Sequence, residues 1–133
     1  MRRNEERIKI ADYSGIARAM AAGARLAEIA GFDKVTQAAL LTAISELATN
    51  ILTYAGKGRV TVRIVKKETK KGIEIVAEDN GPGIPNVEEA MMDGFTTAKS
   101  LGIGLGGVRR LMDEFEISTS GTTGTTITTR KWG

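Results

Sequence analysis

The 133-residue chain contains no cysteine, which excludes disulfides, thiolate nucleophiles and Cys-ligated metals together. Histidine is absent too, so the chain cannot supply a Ser-His-Asp triad, a His-bound zinc or a phosphoaccepting histidine. Aromatic residues make up only 5%, a sparse set for stacking on nucleic-acid bases. Hydrophobic residues reach 41%, yet the longest unbroken apolar stretches are a few residues, against the ~20 needed to cross a bilayer. The charged start Met1-Arg2-Arg3-Asn4-Glu5-Glu6 is not followed by the apolar segment of a secretory signal. The expected setting is therefore the cytoplasm, with no membrane partner. Chemistry is left to carboxylates, amides, hydroxyls, backbone and a borrowed cofactor.

Net charge is +3, and the densest cationic run is Lys66-Lys67-Glu68-Thr69-Lys70-Lys71. It falls between two strand-like segments, where a solvated hairpin loop is the ordinary expectation. A patch that steers ATP or an acidic partner fits it better than a nucleic-acid surface.

The length suits one domain spanning residues 1–133. Arg7–Ile10 alternates as a short strand. Ser14 is placed to cap a helix from Gly15 to about Ala30, closed by Gly31; Asp33 is placed to cap a longer one to about Ala55, closed by Gly56. Val60–Val65 and Ile73–Ala77 read as paired strands. The Gly-rich stretch Asn80–Gly107 holds a short helical patch near Val87–Met92. A third main helix is expected over Leu105–Phe115, before strands at Glu116–Ser118 and Thr125–Thr129. The expected fold is an α/β (α+β) two-layer sandwich, a mostly antiparallel sheet covered on one face by helices.

On the second helix, Leu40, Ile44, Leu47 and Ile51 fall within about 60° of arc and form a buried stripe. Glu46 and Asn50, one turn apart, stand at its border, as an ordinary exposed pair or as side chains reaching a cleft. Ile73, Ile75, Ala77 and Asp79 share one strand face; Glu74, Val76 and Glu78 share the other, which reads as solvated. Asp79 is thus a carboxylate on the helix-facing side. It needs a donor there, either an adenine amine or a backbone N–H of the turn Asn80-Gly81-Pro82-Gly83. Gly102-Ile103-Gly104-Leu105-Gly106-Gly107-Val108 leads into the third helix as a phosphate cradle or a flexible loop. It is neither a Walker loop nor a Rossmann fingerprint. Asp93–Ser100 has the small, polar character of a lid. Gly124-Thr125 opens the last strand as a turn or a further ligand contact.

The order of these elements is more specific than any one of them. Glu46-x-x-x-Asn50 resembles the N box of the GHKL (Bergerat) superfamily, Asp79–Ile84 its G1 box, Gly102–Val108 its G2 box and Gly124-Thr125 its last, glycine-threonine element. The resemblance covers essentially the whole chain. It implies Mg-ATP held between the helical layer and a lid. Glu46 would orient and deprotonate the attacking hydroxyl, Asn50 would bind Mg²⁺, and Asp79 would accept from adenine with Gly83 and Thr125 nearby. Gly102, Gly104, Leu105 and Gly106 would follow the phosphates, with Gly81, Ile84, Thr97 and Ile103 completing the nucleotide site.

Within that superfamily, Ala43–Asn50 followed by Tyr54–Gly58, Met92–Thr97 and Gly107–Phe115 resemble the RsbT switch kinases of the stressosome. That implies STAS-domain scaffold proteins as substrates, phosphorylated on Ser or Thr, and a downstream output enzyme, often a phosphatase. The alternative is an anti-sigma factor with serine kinase activity, of the SpoIIAB or RsbW type. Those relatives carry a histidine soon after the N-box Asn, which Thr53-Tyr54-Ala55 lacks. A third reading is a nucleotide-gated binding module without transfer, against which the intact Glu46 speaks.

Overall fold

A computed structural model of the chain describes residues 4–81, 104–120 and 124–133. In chain order the elements are β1 (Glu5–Ile10), α1 (Tyr13–Ile29), α2 (Lys34–Tyr54), β2 (Gly58–Lys67), β3 (Lys70–Asp79), α3 (Gly104–Leu111), β4 (Glu114–Ser120) and β5 (Gly124–Trp132). The strands form one sheet in the order β1-β2-β3-β5-β4, and each pairing is antiparallel. The expected two-layer sandwich is what the described residues form. The helical patch expected at Val87–Met92 and the lid at Asp93–Ser100 lie outside them.

The layers follow from side-chain periodicity. Ile10, Val60, Val62, Ile73, Ile75, Ala77 and Ile127 point from alternate strand positions into the core and are at most 3% exposed. They meet Ala19, Leu26 and Ala27 of α1 and the stripe Leu40, Ala43, Ile44, Leu47, Ala48 and Ile51 of α2. By length and mean hydropathy, 21 residues and 1.2, α2 could span a bilayer. Its apolar face is instead taken up by this core. Leu105, Val108 and Met112 bring α3 into the same cluster.

Element ends show where local signals compete. Asp12, rather than Ser14, caps α1: its carboxylate accepts the Ser14 N–H at 2.9 Å while its own backbone is extended. Asp33 caps α2 as expected, accepting from the Thr36 N–H at 2.7 Å. Gly31 and Gly56 both take positive φ just past the helix ends. The third main helix stops at Leu111 and does not reach Phe115. Asp113 N–H donates to the Arg130 carbonyl at 2.9 Å, and Glu114 starts β4. The four lysines belong to strand ends rather than to a loop, since Lys66 pairs with Lys71 and Lys67 with Lys70, leaving Glu68-Thr69 as the turn.

The helix-free face departs from expectation at Glu74, which is 3% exposed. One row across all five strands alternates in charge: Glu5, Arg63, Glu74, Arg130 and Glu114 are successive cross-strand partners. Glu74 accepts from Nε of Arg63 and, at 2.8 Å, from Nε of Arg130. Arg130 also donates to Glu114 at 2.8 Å, and the Trp132 indole N–H donates to the other Glu114 oxygen at 2.7 Å. Two arginine stems therefore cover a carboxylate that simple alternation would leave in water.

The end of this sheet is tight. Gly124 opens β5 at φ +87°, and a Cβ there would lie 2.0 Å from the Asp79 carbonyl oxygen. Gly124→Ala combines left-handed strain with a backbone collision. It should lower stability by more than about 1 kcal/mol in urea unfolding; a variant as stable as the parent would refute the close approach.

The ladder also sets an acid limit. The hydrogen bond from Trp132, then the one from Arg130, holds the Glu114 carboxyl below its ordinary value. A depressed folded-state pKa contributes stability that is complete above the unfolded value, about 4.3, and is lost as pH falls through the folded one. Asp12 and Asp33, lowered by their bonds from Ser14 and Thr36, act in the same direction. Glu114→Gln should therefore flatten the fall of the thermal midpoint below about pH 4.3. An unchanged acid slope would remove Glu114 from it.

Candidate functional site

The packing of α2 decides where its polar residues stand. With Leu47, Ala48 and Ile51 turned into the core, Glu46 and Asn50 are half-buried at the border of the stripe, as the angular reading expects. Asn50 lines a cleft with Leu47, Ile51 and Tyr54 of α2, Ala77 and Asp79 of β3, and Thr125 and Ile127 of β5. Its cavity is about 10 Å³, room for roughly one water. One wall is helix, the other sheet, and among the described residues the lining is apolar apart from Asn50, Tyr54, Asp79 and Thr125.

Asp79 is on the helix-facing side of β3, as its parity predicts. Its Oδ1 accepts from the Gly81 N–H at 2.9 Å and from the Thr125 N–H at 3.3 Å. The backbone donor weighed as a partner for this carboxylate is thus present, and it comes from both sides of the strand end. Thr125 is the cross-strand partner of Asp79, is 5% exposed, and shares a 2.8 Å hydrogen bond with the Thr119 hydroxyl. Gly81 lies against the end of α2: a Cβ would come within 2.5 Å of the Ala55 Cβ. The small residue there is a packing requirement.

Glu46 does not face empty solvent. Its Oε1 accepts the Gly104 N–H at 2.9 Å across 58 residues of sequence. Gly104 takes φ +70° and begins α3. The carboxylate therefore meets one of the N–H groups that the first turn of a helix cannot use itself. Leu105 and Gly106 follow, both buried. Arg109 and Arg110 stand exposed in the last turn of α3, where cations complement the helix dipole.

Glu46, Asn50, Asp79, Gly81, Gly104, Leu105, Gly106 and Thr125 are thus carried by α2, the ends of β3 and β5, and the start of α3. Gly83, Ile84, Thr97, Gly102 and Ile103 lie outside the described residues. Sequence reasoning did not single out Ile127 as a cleft residue, and it read Tyr54 only as part of a motif. The available signal for Tyr54 was its spacing: it follows Asn50 by four residues, so it lies one turn further along the same helix face. Among the described residues, no group of three or more carboxylates could hold a metal ion by itself.

Comparison with known proteins identifies the fold and the family. Residues 10–131 match the family described as histidine kinase-like ATPase domain. The chain is 51% identical over 110 residues, 83% of each chain, to the serine/threonine-protein kinase RsbT of Bacillus subtilis (strain 168). It is 34% identical over 97 residues to an anti-sigma F factor of Caldanaerobacter subterraneus subsp. tengcongensis, covering 68% of this chain and 66% of that one. A solved structure of the mycobacterial sensor histidine kinase MprB superposes with a TM-score of 0.56 over 97% of both chains at 21% identity, a likeness of fold. With a helix-bordered cleft at the sheet end and relatives of this identity, the chain belongs to the histidine kinase-like (GHKL) ATPase family, as a homologue of the serine/threonine-protein kinase RsbT.

Proposed function

We propose that the chain is an ATP-dependent protein serine/threonine kinase whose reacting centre lies between Glu46 and the start of α3. The observation that carries this reading is the Glu46–Gly104 hydrogen bond. It puts a carboxylate beside a glycine amide at a helix N-terminus, where a transferable phosphate and the hydroxyl that attacks it have to meet.

Each residue then has a defined task. Asp79 holds the adenine amine through its carboxylate, with Thr125 and Gly81 fixing the carboxylate's direction. The cleft is narrow in this form, so nucleotide entry parts α2 from β3 and β5. The Gly104 amide, with those of Leu105 and Gly106, turns from Glu46 to the phosphates. That exchange frees Glu46. The carboxylate then orients the substrate hydroxyl and accepts its proton as the phosphoryl group leaves ATP.

The donor set also fits Mg²⁺. Asn50 offers one amide oxygen, at the cleft border one turn from Glu46, and no dedicated acidic cage surrounds it; this suits an ion bound chiefly by phosphate oxygens and water. When bound, it neutralises charge on the phosphates and sets their orientation.

The RsbT likeness supports STAS-domain stressosome scaffold proteins as substrates, in the cytoplasm, and a phosphatase or other output enzyme as the later partner. The anti-sigma F relatives support the second reading, a serine kinase that captures a sigma factor, at lower identity.

Incubation with γ-labelled Mg-ATP and a STAS-domain protein tests the reading. Label should appear on a Ser or Thr of the partner. Glu46→Ala should keep ATP binding while phosphotransfer falls about 10²–10⁴-fold; a near-normal rate would exclude Glu46 from the chemistry. Asp79→Asn should weaken ATP binding itself, because the amide presents fewer acceptor sites to adenine. Unchanged affinity would remove Asp79 from the adenine site.

A further inference from the structure

A second cavity, about 570 Å³, opens at the end of the sheet. Arg7 and Lys9 of β1, Lys57, and Arg59 of β2 line it, together with Glu78 and the Asp79–Gly81 segment. By strand alternation Arg7, Lys9, Arg59 and Glu78 all belong to the helix-free face. The volume is that of a ligand site, and among the described residues no aromatic side chain lines it.

Its charge is unbalanced in a specific way. Lys9 and Arg59 are direct cross-strand partners, and like charges in that relation destabilise a sheet. On the same face the row from Glu5 to Glu114 alternates in sign at every step, and the other like-charge pair, Lys67 with Lys70, flanks the hairpin turn at the far end of the strands. Arg7 is paired with Glu5 at 2.9 Å. Among the described residues, no ion pair engages the side chains of Lys9, Lys57 or Arg59. Glu78, the next partner of Arg59 in the row, balances one of the three. The Asp79 carboxylate points to the opposite face and is held there by Gly81 and Thr125.

We propose that this cavity docks an acidic segment of the protein substrate, an inference about partner chemistry that rests on the kinase reading. Two cations kept side by side on a sheet with a single neighbouring carboxylate cost stability, and an incoming carboxylate lowers that cost. The absence of stacking side chains among the described lining residues disfavours nucleic acid. β1 is an edge strand, so an extended chain lies along it without displacing a neighbour. The cavity shares Asp79 with the nucleotide cleft, which sets the docked segment close to the transfer site.

The test uses the whole chain and a fluorescein-labelled hexaglutamate peptide, read by anisotropy without ATP turnover. Binding should weaken as salt rises from about 50 to about 300 mM and fall at least about tenfold in the double variant Lys9→Gln with Arg59→Gln. That variant relieves a like-charge pair, so its unfolding midpoint should stay equal or rise; a merely structural pair would not separate binding from stability in this direction. ATP affinity should be unchanged. Lys66→Gln with Lys71→Gln, which thins the other basic cluster, should leave peptide binding unaltered.

Absence of peptide binding, equal loss in the hairpin variant, or stronger binding of oligothymidylate than of hexaglutamate would each overturn the proposal. So would a dimer that the Lys9/Arg59 variant dissociates, which would give the cavity to a second copy. Peptide binding with no phosphotransfer to any protein would instead overturn the kinase reading and leave an acidic-segment site.

Discussion

The burial of one face of α2 against the sheet governs the rest of the molecule. Leu40, Ala43, Ile44, Leu47, Ala48 and Ile51 are at most 2% exposed, and truncating any of the large ones would cost about 2–5 kcal/mol. Such a stripe permits one rotation of the helix about its axis. A shift by one residue, about 100°, would drive a carboxylate or an amide into the core. The positions of Glu46 and Asn50 at the cleft border are therefore set by apolar packing rather than by their own contacts. The same rotation lets Glu46 reach Gly104, so α3 is located by the core through Val108 and by the carboxylate through its first amide.

The two faces of the sheet solve different problems. The inner face needs only hydrophobic complementarity with α1 and α2. The outer face, which no described helix covers, has to reconcile its charged side chains with one another. In the Glu74 row it does so by alternation: a carboxylate buried to 3% exposure keeps two guanidinium partners. Removing one of them would leave a charge that the site cannot resolvate cheaply. At the Lys9–Arg59 step the same logic is not followed. The two rows differ in that the first is balanced within the sheet and the second leaves a cation at a cavity.

Much of this was legible because the signals were local. Parity placed Asp79 on the helix side, angular spacing set Glu46 and Asn50 at the stripe's border, and Asp33, Gly31 and Gly56 marked helix ends by their own chemistry. The misreadings have a common cause. Ser14 and Asp12 are both competent caps, and the choice fell to whichever residue β1 delivered in an extended conformation. Met112 and Phe115 continue a helical apolar pattern past Leu111, but the Asp113 N–H is claimed by Arg130 of β5. Glu74 reads as solvated until β2 and β5 are known to flank β3. The Glu46–Gly104 bond joins residues 58 positions apart. Each outcome depends on which segments become neighbours, and periodicity carries no such information.

The wall between the two cavities brings these strands of reasoning together. Asp79 Oδ1 gathers the amides of Gly81 and Thr125, Gly81 is pressed against Ala55, and Gly124 is pressed against the Asp79 carbonyl. Three close approaches thus fix a few residues from both sides, and two of the three need glycine. A segment held this firmly does not absorb a displacement locally; it passes it on. Whatever occupies the basic cavity and whatever occupies the cleft act on the same short stretch of backbone. Any difference that one ligand makes to the affinity of the other is then returned in equal measure. The strand end that carries Asp79, the carboxylate proposed to face adenine, is consequently also the place where the proposed docking and nucleotide binding would sense each other.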